Sequence, residues 1–144
     1  MATETEPGPM AVLERLHAAM NQHDLDALAA CFDPDYQSAQ PVHPDRVFRG
    51  REQVRKNWGA IFSGTPDIQG KLLQAAVGGD TVWAEWQWTG TRADGSRLDM
   101  RGVTLFGVQD DRIMWGRLYM EPVQASGAGI DASVAEMSKG SSQR

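Results

Sequence analysis

Turn signals divide the second half of the chain into four extended segments, and this pattern constrains the fold more than any other feature. The extended segments cover residues 67–77, 81–92, 97–108 and 112–121. They are separated by the turn sequences Gly78-Gly79-Asp80, Asp94-Gly95 and Gln109-Asp110-Asp111. Asp-Gly between extended segments is a strong hairpin signal. Three successive hairpins predict a four-stranded antiparallel meander.

The first half of the chain has helical patterns instead. Apolar residues recur at helical spacing over about 9–22, and a similar pattern over about 51–62 places Val54 and Trp58 on one face. Asp24 has the position of an N-cap for a second helix that carries Leu28 and Phe32. A short extended segment follows at 36–40. Three helices, a short first strand and a meander predict an α+β domain with the helices on one face of the sheet.

Length and composition indicate one soluble globular domain. The chain has 144 residues, 41% of them hydrophobic and 23% charged, and the net charge of −5 argues against nucleic-acid binding. No apolar run has the roughly 20 residues of a membrane span. A single cysteine, Cys31, and an acidic start without a basic n-region predict a cytoplasmic protein. We expect a domain over 9–122, with flexible tails at 1–8 and 123–144.

The segment 81–89 contains three tryptophans and one carboxylate. Strand alternation places Trp83, Glu85 and Gln87 on one face, and Trp86 and Trp88 on the other. A two-residue Asp94-Gly95 turn pairs Trp83 with Phe106. It also pairs Glu85 with Thr104 and Gln87 with Gly102. We therefore expect Glu85 to lie in a mostly apolar surrounding.

The last hairpin has two possible loops, and they place opposite faces of its second strand beside Glu85. A two-residue loop brings Trp115, Arg117 and Tyr119 to the Glu85 face. A three-residue loop brings Met114, Gly116, Leu118 and Met120 there instead. A shift of one residue reverses every side chain, and we favour the three-residue loop because Asp111 tolerates a left-handed conformation. This loop predicts a pocket with apolar walls and few polar groups.

An apolar pocket around Glu85 suggests acid–base chemistry. Loss of hydration favours the neutral carboxylic acid, and a carboxyl group tuned in this way can transfer protons near neutral pH. Our hypothesis is that Glu85 shuttles a proton while Tyr36, Gln87 and Thr104 orient the substrate. His43 is a second titratable candidate at the pocket mouth. The expected substrate-binding residues are Ser38, Gln40, Trp58, Trp83, Gln87, Gly102, Thr104, Phe106, Leu118 and Met120.

The opposite face of the predicted sheet carries Trp86, Trp88 and Trp115. An aromatic row must be covered, and a second subunit is the cover that we favour over the C-terminal tail. Three scattered histidines and one cysteine lack metal-ligand spacing, so we expect no metal and no cofactor. Arginines and lysines over 46–56 form a basic cluster, for which a solvated helix face is favoured over an anion site.

Three phrases over residues 10–122 resemble the SnoaL-like branch of the nuclear-transport-factor-2-like superfamily. They are HDLDALAACFDPDY, FRGREQVRKNW and DRIMWGRLY. The resemblance implies a cone-shaped fold, in which a curved sheet wraps on helices around one deep apolar pocket, and which often dimerises through the outer sheet face. The superfamily includes ketosteroid isomerases, limonene-type epoxide hydrolases and polyketide cyclases.

The catalytic residues of these enzymes carry over poorly. Leu118 occupies the position of an acid that two of the groups use, and Gln40 occupies that of the isomerase base. Tyr36 and Ser38 lie near residues that help to hold water in the epoxide hydrolases. We expect an enzyme that acts on a hydrophobic, polyketide- or terpenoid-like oxygenated metabolite as a cyclase, isomerase, dehydratase or hydrolase. The alternative is a non-catalytic module that binds a hydrophobic ligand or a protein.

Overall fold

The three predicted helices are present in the computed structural model, which describes residues 8–139. They are α1 (Pro9–Gln22), α2 (Leu25–Ala30) and α3 (Arg51–Gly64). The Asp24 side chain caps α2 by accepting a hydrogen bond from the Ala27 N–H at 3.0 Å. Phe32 lies in the following strand and not in α2, because Pro34 cannot continue a helix and its ring disfavours helical backbone at the residue before it.

The sheet has six strands, one more than the sequence predicts. They are β1 (Phe32–Ala39), β2 (Phe48–Arg49), β3 (Gln69–Gly78), β4 (Thr81–Thr91), β5 (Arg97–Gln109) and β6 (Arg112–Pro122). Their order is β2-β1-β6-β5-β4-β3, so the meander β3 to β6 is confirmed. The first strand pairs in parallel with β6, which makes the sheet mixed. Helices on a curved sheet confirm the α+β class.

The β4–β5 hairpin differs by one residue from the predicted register. Its loop has three residues, Ala93 to Gly95, closed by the Arg92 N–H to Ser96 C=O hydrogen bond of 2.8 Å, and Gly95 has a φ of 88°. Glu85 therefore pairs with Val103 and not with Thr104. Because opposite residues share a face, this shift moves Glu85 away from Thr104.

The β5–β6 hairpin has the two-residue loop that we did not favour. Asp110 and Asp111 both have positive φ, 52° and 64°, as in the turn type that matches the twist of paired strands. A bulge follows at Gly107/Val108, and it shifts the register so that Thr104 pairs with Leu118. The expected association of Leu118 and Met120 with Thr104 is therefore present, although the expected loop is wrong.

The helices pack on the sheet face that carries Val82, Ala84, Trp86 and Trp88. Trp86 is only 1% exposed, and its neighbours in the core include Leu13, Leu16 and Met20 of α1. Trp83, Glu85 and Gln87 lie on the opposite, outer face. We expected Trp86, Trp88 and Trp115 to form a row on the outer face, and this is wrong for Trp86 and Trp88. The reason is that the one-residue register shift exchanges the faces of β4 relative to β5.

A further helix, α4 (Ile130–Ser138), lies in the segment predicted to be a flexible tail. All of its residues are exposed. The predicted N-terminal tail, except for Gly8, and residues 140–144 lie outside the described part of the chain. None of the helices within residues 8–139 is long and apolar enough to cross a membrane.

Candidate functional site

A cavity of about 210 Å³ lies between the helices and the inner face of the sheet. Most of its wall is aromatic or aliphatic. The apolar lining residues are Leu16, Met20, Phe32, Phe48, Val54, Trp58, Ile61, Trp86, Trp88, Met100, Phe106, Leu118 and Met120. The polar ones are Tyr36, Ser38, Gln40, Arg46, Asn57 and Thr104. Such a lining, apolar with a few polar groups, is typical of small-molecule sites.

Three tryptophans form one side of the cavity. The rings of Trp86 and Trp88 have centroids 6.2 Å apart, and Trp58 meets Trp88 edge to face at 5.4 Å. The Trp86 indole donates a hydrogen bond of 2.9 Å to the Thr104 hydroxyl. The indole N–H of Trp88 is buried and has no partner within the described residues. The wall is therefore almost entirely apolar.

Two hydroxyl side chains of β1 also line the cavity. Tyr36 and Ser38 are two residues apart and thus on the same face of the strand, and they are 2% and 3% exposed. Burial raises the pKa of Tyr36 to about 12, against a smaller opposing effect of its hydrogen bond with Ser38. At neutral pH the phenol is therefore protonated and can donate a hydrogen bond to a ligand.

Gly116 of β6 makes room for the Tyr36 hydroxyl. A Cβ added at this position would collide with the phenolic oxygen and lie 3.0 Å from the ring of Phe106. The phenol thus lies over a position that carries no side chain.

Arg46 and Gln40 are polar residues at another part of the lining. The Arg46 guanidinium donates a hydrogen bond of 2.9 Å from Nη1 to the Gln40 amide oxygen. Arg46 is exposed and belongs to the short 3₁₀ helix Pro44–Arg46 between β1 and β2. No other charged residue lines the cavity in the described part of the chain.

Eight of the predicted site residues line the cavity. They are Tyr36, Ser38, Gln40, Trp58, Thr104, Phe106, Leu118 and Met120. Gly102 does not line it, although it pairs with Met120.

Glu85, Trp83 and Gln87 are outside the cavity, and their predicted placement is wrong. The Glu85 carboxylate accepts a hydrogen bond of 2.9 Å from the Gln74 amide on the outer face, and the Gln87 amide donates to Asp99 at 3.2 Å. The cause is the three-residue loop of the β4–β5 hairpin, which the Asp-Gly turn signal did not reveal.

His43 is close to the end of the sheet but does not line the cavity. Its Nε2 lies 2.8 Å from Oε2 of Glu121, and both side chains are partly exposed. This contact attaches the loop after β1 to the end of β6, which is a structural role.

Five residues of the lining that matter for the chemistry of the cavity were not predicted from the sequence. They are Arg46, Phe48, Asn57, Trp86 and Trp88. The sequence of β4 did contain a signal for the tryptophans. One face of the strand is entirely apolar, and the other face carries polar residues. The apolar face has Val82, Ala84, Trp86 and Trp88, and the polar residues are Glu85, Gln87 and Thr89. Such alternation indicates a sheet with one buried and one solvated face.

The cavity offers hydroxyl, amide and guanidinium groups for chemistry. Among the described residues that line it there is no carboxylate, imidazole or thiol. Cys31 is buried outside the lining, and its burial raises the thiol pKa. Within residues 8–139 there is no group of three or more His, Cys, Asp or Glu that could hold a metal ion. Hydrogen bonding to a ligand oxygen is the chemistry that this lining supports.

Several solved structures share this fold. A protein from Jannaschia sp. CCS1, provisionally named a SnoaL-like polyketide cyclase, aligns with a TM-score of 0.69 and 21% identity over 83% of this chain and 92% of its own. An LEH-like epoxide hydrolase from M. tuberculosis aligns with a TM-score of 0.66 and 18% identity over 76% of this chain and 80% of its own. A protein with a ketosteroid isomerase-like fold from Catenulispora acidiphila, in complex with trimethylamine, aligns with a TM-score of 0.66 and 18% identity over 75% and 83%.

These identities show a common fold. No curated protein matches the chain. The model of the SnoaL-like domain matches residues 13–115, which is most of the sequence and includes α2, α3, β1 to β5 and the first residues of β6. This chain belongs to the SnoaL-like domain family.

Proposed function

We propose that this protein binds a small hydrophobic molecule with an acceptor oxygen, and that Tyr36 activates this oxygen by donating a hydrogen bond. The observation that carries the proposal is a phenol, 2% exposed, in the wall of a mostly apolar cavity. A hydrogen bond in such a site is stronger than in water because the surrounding dielectric constant is low. The cavity volume of about 210 Å³ favours a ligand smaller than a typical drug molecule.

The names of the similar structures support an enzymatic role. They include a polyketide cyclase, an epoxide hydrolase and a ketosteroid isomerase-like fold. In each of these reaction types, negative charge develops on, or a proton moves to, an oxygen of the substrate. A phenol beside that oxygen stabilises the charge, as donors aimed at a developing oxyanion do in other enzymes. The polyketide- or terpenoid-like substrate stays part of this proposal.

The lining also favours a second candidate, non-catalytic binding. A proton abstraction requires a base within hydrogen-bond reach, and the described lining has no carboxylate or imidazole. The Glu85 proton shuttle is not compatible with the position of Glu85 on the outer face.

Matched ligands test the role of Tyr36. We expect 2-acetylnaphthalene to bind about five- to tenfold more tightly than 2-ethylnaphthalene, because only the ketone accepts a hydrogen bond from Tyr36. This preference disappears in Tyr36→Phe, as measured by titration calorimetry or by the fluorescence of Trp58, Trp86 and Trp88. Tyr119→Phe, which removes the other tyrosine hydroxyl of the sequence, retains it. A preference that survives in Tyr36→Phe contradicts the proposal.

Product analysis separates the two candidates. Conversion of a bound ketone, epoxide or lactone that depends on Tyr36 supports the enzyme. Tyr36-dependent binding without any conversion across such a panel supports the binding module.

A further inference from the structure

The basic cluster over residues 46–56 is not one surface in the structure. Arg55 forms an ion pair of 2.6 Å with Asp26, and the Arg51 guanidinium donates to the Phe32 carbonyl at 2.9 Å. Arg49 and Lys56 are exposed and do not line the cavity. Arg46 alone among these five side chains is part of the cavity lining. One member of the cluster thus has a position that a solvated helix face does not explain.

The guanidinium of Arg46 has unused hydrogen-bonding capacity. Its five N–H groups have one acceptor among residues 8–139, the neutral amide oxygen of Gln40. No carboxylate in that range forms an ion pair with it. Exposed arginines such as Arg49 also lack such a pair, but they are not beside the cavity. Arg46 therefore offers a positive charge and a fork of donors next to an aromatic cavity.

The backbone around Arg46 is well supported. Pro44 begins the short 3₁₀ helix, and the Arg46 N–H donates to the His43 carbonyl at 2.9 Å. His43 in turn contacts Glu121 at 2.8 Å, which attaches the loop to the end of β6. The Glu121 carboxylate thus has its partner in His43. Because these contacts hold the loop at both its helix and its histidine, the backbone at Arg46 has a defined position beside the cavity.

We infer that the ligand of this cavity carries a carboxylate that binds Arg46 while its hydrophobic body lies against the tryptophans. The inference rests on the proposed function, since it concerns the same cavity. A guanidinium matches the planar geometry of a carboxylate and binds it through two parallel hydrogen bonds. The net charge of −5 opposes anions only weakly, because distant surface charges are screened beyond a Debye length of about 8 Å at physiological salt. The ligand class is a small aromatic carboxylic acid.

A pair of matched probes tests this class with the full-length chain. The probes are 2-naphthoate and 2-naphthamide, which differ in charge but hardly in shape. We expect the wild type to bind the acid about three- to tenfold more tightly than the amide, because the contact is an ion pair at a partly exposed site. Arg46→Gln should remove this difference, because it weakens binding of the acid much more than binding of the amide. Arg49→Gln removes a nearby arginine that does not line the cavity, and should retain the preference.

Salt gives an independent readout. Raising the ionic strength should weaken binding of the acid to the wild type and leave binding of the amide unchanged, since screening acts only on the charged ligand. Acid and amide that bind equally to the wild type overturn the inference, and so does a preference that persists in Arg46→Gln. Failure of both probes to bind also overturns it.

The failure of this inference is distinguishable from that of the proposed function. If Arg46→Gln does not change the preference for the acid but the preference for the ketone still depends on Tyr36, the inferred ligand carboxylate is wrong and the proposed function stands. If the acid preference depends on Arg46 but the ketone preference does not depend on Tyr36, the role of Tyr36 is wrong and the anionic ligand stands.

Discussion

The properties of Tyr36 show how strongly a single residue depends on its surroundings. In water its phenol has a pKa of 10.0, and burial in the wall of the cavity raises the pKa to about 12. The hydroxyl lies over Gly116, where any side chain would displace it. The same residue would be an unremarkable surface tyrosine if β1 presented its other face to the helices.

The raised pKa of Tyr36 predicts a loss of stability at alkaline pH. The stability that the buried phenol contributes is fully present below about pH 10, where the phenol is protonated in both the folded and the unfolded protein. Above this pH the unfolded chain releases the proton more readily than the folded protein, so unfolding becomes favoured until the folded pKa of about 12 is passed. We expect the wild type to lose about 2 kcal/mol relative to Tyr36→Phe between about pH 9 and pH 11.5.

Urea unfolding of both proteins across this range measures the difference. Tyr119→Phe serves as the control. Because it retains Tyr36, its free energy of unfolding should fall with rising pH by the same amount as that of the wild type. Parallel curves for the wild type and Tyr36→Phe would show that Tyr36 ionises equally easily in the folded and unfolded states.

Among the secondary-structure elements, α1 and β3 are joined by an unusual set of contacts. β3 is an edge strand, and side chains of the helix and its C-cap bind the backbone at the start of β3 and just before it. Asn21 accepts from the Gly70 N–H at 2.6 Å and donates to the Gly70 carbonyl at 3.0 Å. His17 and His23 contact the Gly70 and Ile68 carbonyls, each at 2.7 Å. These side chains take the place of a neighbouring strand and cover part of an exposed edge.

We predict that Asn21→Ala destabilises the protein by about 1 to 2 kcal/mol, because the Gly70 N–H loses its hydrogen bond and the Gly70 carbonyl keeps only its contact with His17. The Gly70 amide should also exchange its hydrogen faster, since its partner is removed. Gln22→Ala changes an exposed neighbour on the same helix and should alter the free energy of unfolding by less than about 0.5 kcal/mol. Denaturant unfolding and amide exchange test both variants, and equal effects would show that the Asn21 contacts contribute nothing.

For the molecule as a whole, a homodimer through the outer sheet face remains our proposal. Trp86 and Trp88 cannot contribute to it, because they are in the core. The outer face carries other apolar side chains instead, namely Trp83, Val103, Leu105, Trp115 and Tyr119. Trp115 also stacks with Arg117, whose guanidinium carbon lies 5.4 Å from the ring centroid. Apolar patches of this kind are frequent at protein interfaces.

Val103→Arg tests this interface. Val103 lies between Glu85 and Tyr119 on the outer face, and a guanidinium there would lose its hydration in the dimer, a cost that an ion pair with Glu85 offsets only in part. We expect a dimeric wild type and a variant that dissociates at least tenfold more readily in analytical ultracentrifugation. Gln22→Arg adds the same charge on α1 and should remain dimeric. A wild type that is monomeric and folded at every concentration contradicts the proposal.

The approximate positions of α1, α3 and the four meander strands could be predicted from the sequence because the signals are local, whereas β2, α4 and the start of β1 were not predicted. Apolar spacing marks α1 and α3, Asp24 caps α2, and turn residues separate the strands of the meander. The parallel pairing of β1 with β6 had no such signal, since the partners are some 80 residues apart and no hairpin joins them. The exposure of α4 likewise has no local sequence signal, because it depends on whether another part of the chain packs against this helix.

The sequence by itself determined the fold class, the family and eight of the residues that line the cavity, including Tyr36, Thr104 and Leu118. Only the tertiary structure decided that Trp86 and not Glu85 faces the cavity. The reason is that strand side chains alternate with a period of two, so one additional loop residue reverses a whole strand while hardly changing the local sequence signals. Packing of the helices on the apolar face of β4 makes that choice, and with it the chemistry of the site changes from a carboxylate to hydroxyls and one arginine.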